Sequence, residues 1–422
     1  MTTVMQLRDT NPERYHQLVA LGRRHFARWL GVYPRRKGGE ISAVRRVLKS
    51  SQWNMTYGVR LEHERLEADF AEYVGLPYAV AVGTGGMGLQ MAMRALGVRP
   101  GDEVIHQVDT CSASALSVMN AGATPVFGDI SPATNMLDPA ALAHWSSPRT
   151  RALLATHSWG NPEDLATLAP LAQQRGMRLI EDGCQSLGAR AGGRSVGHWG
   201  DAAVFSFGCL KPVQAGEGGI IVTKDEALAR ELRAMRHYGE RSFDFDERDT
   251  TMPAWNGRMS EFVAAIARAQ LKHYPAHLAN LRENASTFAE AMKSLPGVQL
   301  MWGAGGGPQD SAITQVVARI EPGARVNKQA LWDGLKARGV PVWHGNFELI
   351  PMLSLFKGEQ WKPWLPLADL QRIPGNYLPE SHPNAMALYE RTGIGFSRMN
   401  FMTARNTRNL IKAMQEVLGG KV

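Results

Sequence analysis

The chain has 422 residues, 44% of them hydrophobic and 20% charged, with 43 glycines, 23 prolines and three cysteines. This composition excludes a disordered, collagen-like or disulfide-stapled protein and supplies apolar material for one large core and a smaller companion. The formal charge of +8 does not by itself point to nucleic acid: the densest basic group, Arg23, Arg24, Arg28, Arg35, Arg36 and Lys37, reads as a solvated helix face, and no nucleic-acid module accompanies it.

In chain order, the N-terminus MTTVMQLRDTNPERYHQL has no apolar core after a basic start. No uncharged apolar run approaches the roughly 18 residues that span a bilayer. A soluble, cytoplasmic protein without membrane association is expected. Cys111, Cys184 and Cys209 form no CxxC pair, which predicts reduced thiols and no metal site. Asn11 as a cap, Pro12 at the first helical position, and Tyr15, Leu18, Val19, Phe26, Trp29 and Leu30 at helical spacing predict a helical N-terminal extension within residues 1–50.

From Tyr78 the pattern becomes short apolar runs separated by amphipathic segments: YAVAV, EVIHQV, TPVFGDI, RALLAT, RLIEDG, AAVFSFG and GGIIVT. Strands alternating with helices predict an α/β domain with a mostly parallel central sheet, over residues 51–280, with its chemistry where strands end and loops begin. A long helical pattern over residues 258–292 links it to a smaller α+β domain, residues 281–422, that closes on the helix LIKAMQEVL.

Three motifs carry chemistry. GTGGMG, residues 83–88, follows a strand, opens a helix and fits G-x-G-x-x-G at Gly83, Gly85 and Gly88. Taken alone it is a dinucleotide fingerprint, with Asp102, Glu103 or Asp109 as the acid expected about 20 positions on. Its less committal content is a helix N-terminus whose backbone N–H groups approach a phosphate, or a tight turn with no ligand at all. RLIEDGCQSLGA runs a strand into Glu181, Asp182 and Gln185, where a carboxylate suits a ribose, a metal or a protonated heterocycle. AAVFSFGCLKPVQAGEGGIIVT sets a single lysine, Lys211, in an otherwise uncharged stretch before a glycine turn and another strand. Such a lysine is either a surface side chain or one whose charge is relieved by Schiff-base formation.

Asp182 preceding Lys211 by 29 residues (211 minus 182), Ser206 five before the lysine, and GEGG after it resemble the DegT-like family of sugar and cyclitol aminotransferases. The similarity runs over residues 53–418. LEADFAEYVGLPYAVAVGTGG resembles that family's entry segment, GDEVIHQVDTCSASALSVMNAGATPVFGDI its second and third strands, and NGRMSEFVAAIARAQL its dimer-forming helix. AGEGGIIVT and NGRMSEF bring it closest to scyllo-inosose-type aminotransferases and 3-amino-5-hydroxybenzoate synthase.

The resemblance implies a pyridoxal-phosphate (PLP) enzyme of the aspartate-aminotransferase fold (fold type I). By it, Lys211 forms the Schiff base, Asp182 pairs with the pyridinium nitrogen, and Gln185 lies beside the ring. Ser206, Thr84 and the backbone of Gly85 and Gly86 hold the phosphate, and Asn256 reaches the phosphate of a second subunit, making the active site a homodimer property. His157 and Trp159 are expected at the substrate side of the site, with His344 on a wall from the smaller domain. The expected reaction moves an amino group from glutamine or glutamate, the small-molecule donor, to a keto-cyclitol or keto-sugar. The alternatives are a lyase, dehydratase or aromatising enzyme on a related ring, or a degenerate PLP-binding regulator; a nicotinamide oxidoreductase is retired.

Two residues depart from the family pattern. Gly85 stands where a polar residue is common, and Cys111 stands where an aromatic residue stacks on the cofactor ring, which a cysteine cannot do.

Overall fold

The computed structural model describes residues 38–54, 61–241, 249–343, 345 and 349–419. The predicted helix before Gly38, and His344, lie outside these residues. Each apolar run of the α/β region is a strand: β1 (Tyr78–Val82), β2 (Glu103–Gln107), β3 (Thr124–Gly128), β4 (Thr150–Thr156), β5 (Arg178–Asp182), then a small hairpin β6 (Arg190–Ala191) and β7 (Arg194–Ser195), then β8 (Ala202–Ser206) and β9 (Gly219–Thr223). Seven of them form one sheet in the order β1-β9-β8-β5-β4-β2-β3. Strands β8, β5, β4, β2 and β3 are parallel, and β9 is inserted antiparallel between β8 and β1.

Because helices cover both faces, these strands are apolar almost continuously. One face packs Ile105, Phe127, Leu153 and Leu179, or Ala203, Phe205 and Val222. The other packs Val80, Val82, Val104, Leu154, Ile180, Val204 and Ile221.

Helices α1 (Glu40–Ser50), α2 (Glu62–Val74), α3 (Gly85–Ala95), α4 (Ser112–Asn120), α5 (Pro139–Trp145), α6 (Leu165–Gln174) and α7 (Glu226–Arg236) precede the long α8 (Glu261–Met292). Helix α1, the end of the predicted extension, lies against α8: Ala43 and Val47 pack on Ala265, and Gln270 donates to Glu40 over 2.6 Å. Among the described residues no helix is long and apolar enough to cross a membrane.

Helix α8 serves two cores. Leu271, Tyr274 and Leu278 belong to the large-sheet core, whereas Leu281, Ala285, Phe288 and Met292 belong to a second one. We place the boundary between the two units at this handover. The second core lies on an antiparallel sheet, β10 (Val298–Met301), β11 (Gln315–Ile320), β12 (Val342–Trp343) and β13 (Gly393–Ser397), in the order β10-β11-β13-β12, covered by α9 (Lys328–Ala337) and α10 (Ala404–Leu418).

One correction concerns the residues between β12 and β13, which the sequence assigns to the smaller domain. Leu349, Ile350, Phe356, Trp361, Ile373 and Tyr377 instead pack on the large-sheet core. Asn376 brackets the exposed edge of β3, accepting from Phe127 N–H at 2.8 Å and donating to Phe127 C=O at 2.7 Å. An edge strand is thereby closed against further pairing.

Candidate active site

Topology brings the three motifs to one edge. Strand β1 is antiparallel to β9, and β9 to β8, so β1 points the same way as β8 and β5. All three end together, and the helix after β1 starts there. Register makes the alignment exact to the residue: Gly219 pairs with Val82 on one side and with Ser206 on the other.

This arrangement explains the glycines. A Cβ on Gly219 would lie 2.7 Å from Gly85 N and from the Thr84 carbonyl, so β9 passes directly beneath the first turn of α3. A Cβ on Gly88 would lie 2.8 Å from Val204, which sets the closeness of α3 to the sheet. A Cβ on Gly85 would lie 2.8 Å from the Ser206 Cβ and 3.0 Å from the Cys184 Sγ. The polar side chain expected at that position therefore has no room here. Thr84 caps α3 by accepting from Met87 N–H at 3.1 Å, and Ser117 donates to the Gly86 carbonyl at 3.2 Å. The result is a helix N-terminus facing the Ser206 hydroxyl across a glycine-lined floor, a geometry suited to a phosphate.

Asp182 ends β5 and is buried. Both carboxylate oxygens are held: Ser114 Oγ–H donates to Oδ2 at 2.8 Å, and Cys184 N–H donates to Oδ1 at 3.2 Å. Behind it, His106 is fully buried, and burial pushes its imidazole down to about 4, so it stays neutral beside the carboxylate. Lys211 is half-buried in the turn after β8, its N–H donating to the Gly208 carbonyl at 3.1 Å. The Cys184 thiol reports how the site is gathered. Burial pushes it well above its ordinary value, Asp182 adds to that, Lys211 eases it, and Cys111 acts on it too.

The dinucleotide alternative fails on topology. In that fold the strand after the glycine turn's helix lies beside the first strand. Here, among the described residues, β1 pairs only with β9, and β2, which precedes Asp109, pairs with β3 and β4.

Residues 34–361 match the model of the DegT/DnrJ/EryC1/StrS aminotransferase family. The chain belongs to this family. Among its relatives, a dTDP-3-amino-3,4,6-trideoxy-alpha-D-glucose transaminase of Streptomyces venezuelae is 38% identical over 305 residues, 71% of this chain and 75% of that protein. A putative L-glutamine:3-amino-2,3-dideoxy-scyllo-inosose aminotransferase of Streptomyces kanamyceticus is 30% identical over 301 residues, 70% of this chain and 69% of that protein. The crystal structure of 3-amino-5-hydroxybenzoic acid (AHBA) synthase superposes with a TM-score of 0.80 at 26% identity, covering 92% of this chain and 98% of that one. This protein is accordingly a PLP-dependent aminotransferase of fold type I.

Within this aminotransferase several expected site residues take other places. His157 is a correction: it is fully buried, its Nδ1 accepts from Glu163 N–H at 3.0 Å, and its Nε2–H donates to Glu181 at 3.3 Å. With both ring nitrogens engaged it supports β5 from behind and offers substrate no polar edge. Glu181 also accepts from the N–H groups of Gly197, Trp199 and Gly200 at 2.8 to 2.9 Å. Burial alone would raise its carboxyl, but these donors and His157 hold it below the ordinary range.

Trp159 adopts a left-handed backbone (φ 64°) and is 7% exposed, its side chain packed with Met301 and Val317 of the smaller sheet. Its N–H donates to Gln185 Oε1 at 3.1 Å, fixing the side chain expected beside the ring. Cys111 is the N-cap position of α4, half-buried. Asn256 is exposed and bridges to His237, and Trp343 is exposed at the edge of β12. Ser114, Cys184 and Gly219 are the site residues that sequence reasoning missed. Gly219 stood in the quoted GEGG, but Ser114 offered only a small polar side chain in the first turn of a helix.

Proposed function

We propose that this aminotransferase transfers an amino group from glutamine or glutamate to a keto-cyclitol or keto-sugar of secondary metabolism, at a site built on Lys211, Asp182, Ser206 and residues 84–86. The observation that carries the reading is the shared edge: a buried, doubly held carboxylate at Asp182 and a glycine-floored helix N-terminus facing Ser206, with Lys211 in the turn that follows Ser206. PLP, when bound, supplies a ring that accepts electrons as a proton leaves the carbon bearing the migrating nitrogen.

The rest is work for this chain's side chains. Asp182, oriented by Ser114 and the Cys184 N–H, would hold a proton on the ring nitrogen. Lys211 Nζ would anchor the cofactor at rest and, once displaced, would move the proton from the donor carbon to the cofactor carbon that takes the nitrogen, and in the second half-reaction from that carbon to the acceptor carbon. Thr84, the N–H groups of Gly85 and Gly86 and the Ser206 hydroxyl receive the phosphate, where the α3 dipole favours negative charge. Gln185, fixed by Trp159, borders the ring. Asn256, exposed on the surface, would reach the phosphate of a second subunit, which makes the active form a homodimer. The names of the relatives support a ring-shaped acceptor.

An absorption spectrum tests this. The purified protein with PLP is expected to show a visible band that borohydride abolishes and Lys211→Ala lacks. Glutamine or glutamate should convert it to the aminated cofactor. A protein that binds no added PLP would overturn the reading, and one that releases a ring product without aminating its cofactor would favour the lyase.

A further inference from the structure

Helices α2 and α8 meet the hairpin β6-β7 around a cavity of about 250 Å³, lined by Tyr73, Arg190, Ser195, Pro275, Leu278 and Arg282 among others. None of its lining residues belongs to the cofactor site, and none is acidic. The hairpin sorts its side chains between two faces. Arg190 pairs with Ser195 and Ala191 with Arg194, so Arg190 and Ser195 stand together on one face, the one that lines the cavity. Arg194 turns away, its guanidinium 5.0 Å over the Trp199 ring. The Arg190 side chain makes no hydrogen bond or ion pair among the described residues.

Arg282, on α8, is held by backbone alone: Nε donates to the Ser311 carbonyl at 3.0 Å and Nη2 to the Gly188 carbonyl at 2.7 Å. Its Nη1 has no acceptor among the described residues, and no carboxylate there is within ion-pair distance. Burial pulls this guanidinium below its ordinary value and Arg190 pulls the same way, against Tyr274, Tyr73 and Asp310. Two like charges are thus gathered on one cavity whose wall carries no counter-charge. Gly188 brings in a further donor. Its backbone is left-handed (φ 83°), and a Cβ there would lie 2.9 Å from the Tyr73 hydroxyl. Burial, opposed by Arg282, pushes that hydroxyl up to about 12, so it keeps its proton, and among the described residues it has no acceptor. A guanidinium's planar fork matches the oxygens of a phosphate two at a time. A paired set of forks balances the charge of a phosphate dianion. With water taking about 30 Å³, the space also admits a short carbon chain.

We propose that this cavity is a binding site for a phosphate dianion, free or as the ester of a small molecule, held by Arg190 and Arg282 with the Tyr73 and Ser195 hydroxyls as further donors. It is distinct from the phosphate cradle at residues 84–86, and it does not depend on the reaction proposed above.

The test titrates holoenzyme reduced with borohydride, in which the cofactor is fixed covalently and its phosphate does not exchange. Calorimetry with inorganic phosphate, with glycerol 3-phosphate and with glycerol is expected to find one saturable site per chain for the two anions and none for glycerol. Binding should weaken as salt is added. Tighter binding of glycerol 3-phosphate supports an ester as the ligand, and equal binding supports free phosphate. Arg190→Ala, which removes a side chain that holds nothing else, should weaken binding about tenfold, and Tyr73→Phe about threefold. Arg190→Lys, which keeps the charge without the fork, should fall between wild type and Arg190→Ala. Phosphate should raise the unfolding temperature of wild type and not that of Arg190→Ala. Absence of saturable binding, or equal affinity in wild type, Arg190→Ala and Tyr73→Phe, overturns the proposal. If the chain takes up no PLP, the same titration of the purified protein decides, because Arg190→Ala leaves any phosphate held at residues 84–86 in place.

Discussion

Ser114, one turn into α4, donates its hydroxyl proton to Asp182 at the end of β5 over 2.8 Å, and both side chains are buried. The acid that defines the site is therefore held by a helix two strands away in the sheet order. Ser114→Ala should leave Oδ2 without this donor, at a cost of about 1.5 kcal/mol for a bond to a charged group. The PLP dissociation constant is then expected to rise about tenfold in spectroscopic titration. No change would mean that Asp182 is positioned by the Cys184 N–H alone.

The glycine floor gives an ordering. Gly219→Ala pushes a methyl against the backbone of Thr84 and Gly85, which cannot yield, whereas Gly85→Ala meets the side chains of Ser206 and Cys184, which can shift slightly. Urea unfolding of the cofactor-free proteins should find Gly219→Ala destabilised by about 3 kcal/mol and Gly85→Ala by about 1 kcal/mol. The reverse order would refute the close approach of β9 to α3.

Glu163 predicts a pH dependence. Burial raises its carboxyl from 4.5 to about 8, although the Leu137 N–H opposes this. A raised acid keeps its proton in the folded state after the unfolded chain has lost it. Stability therefore falls as pH rises from about 4.5 to about 8, with a slope approaching 1.4 kcal/mol per unit from this group. Glu163→Gln should flatten that decline in unfolding free energies measured at pH 5, 6.5 and 8. A variant that declines as steeply as wild type would remove Glu163 as the cause.

Hybrid dimers test the shared site. Lys211→Ala and Asn256→Ala, each inactive or nearly so alone, are expected to regain about a quarter of wild-type activity when unfolded together and refolded as a mixture, since one site of each hybrid then holds an intact Lys211 and an intact Asn256. Mixtures no more active than their components would place both residues in one subunit's site.

Much of this fold was legible because its strands are short, apolar and flanked by helices: YAVAV, EVIHQV and RLIED became β1, β2 and β5 at nearly the predicted bounds. Strand order was not legible. Nothing in GGIIVT indicates that β9 slips antiparallel between β8 and β1, because a doubly buried strand looks alike in either direction. The segment containing Phe356, Trp361 and Tyr377 was misassigned for a related reason. Its short turns carry no periodicity, and its aromatic residues do not reveal which core they enter. At the candidate site, Asp182, Ser206 and Lys211 stand out through motif spacing and the family resemblance, while the burial of His157 was not legible because a motif gives position along the chain and not the direction a side chain faces. The hydrogen bond from Arg398 to the Lys211 carbonyl joins residues next to two different sheets and has no local sign in the sequence.

Helix α8 also constrains movement. Its N-terminal half is fixed in one core and its C-terminal half in the other, so the two sheets share a single strut and are not joined there by a flexible tether. Pro275 interrupts the backbone ladder before Tyr274 and Leu278 have left the first core. Any movement of one sheet relative to the other must flex this strut near that proline or repack one of its ends. Stiffening the helix with Pro275→Ala should therefore slow exchange of bulky ring ligands more than that of a small amino acid.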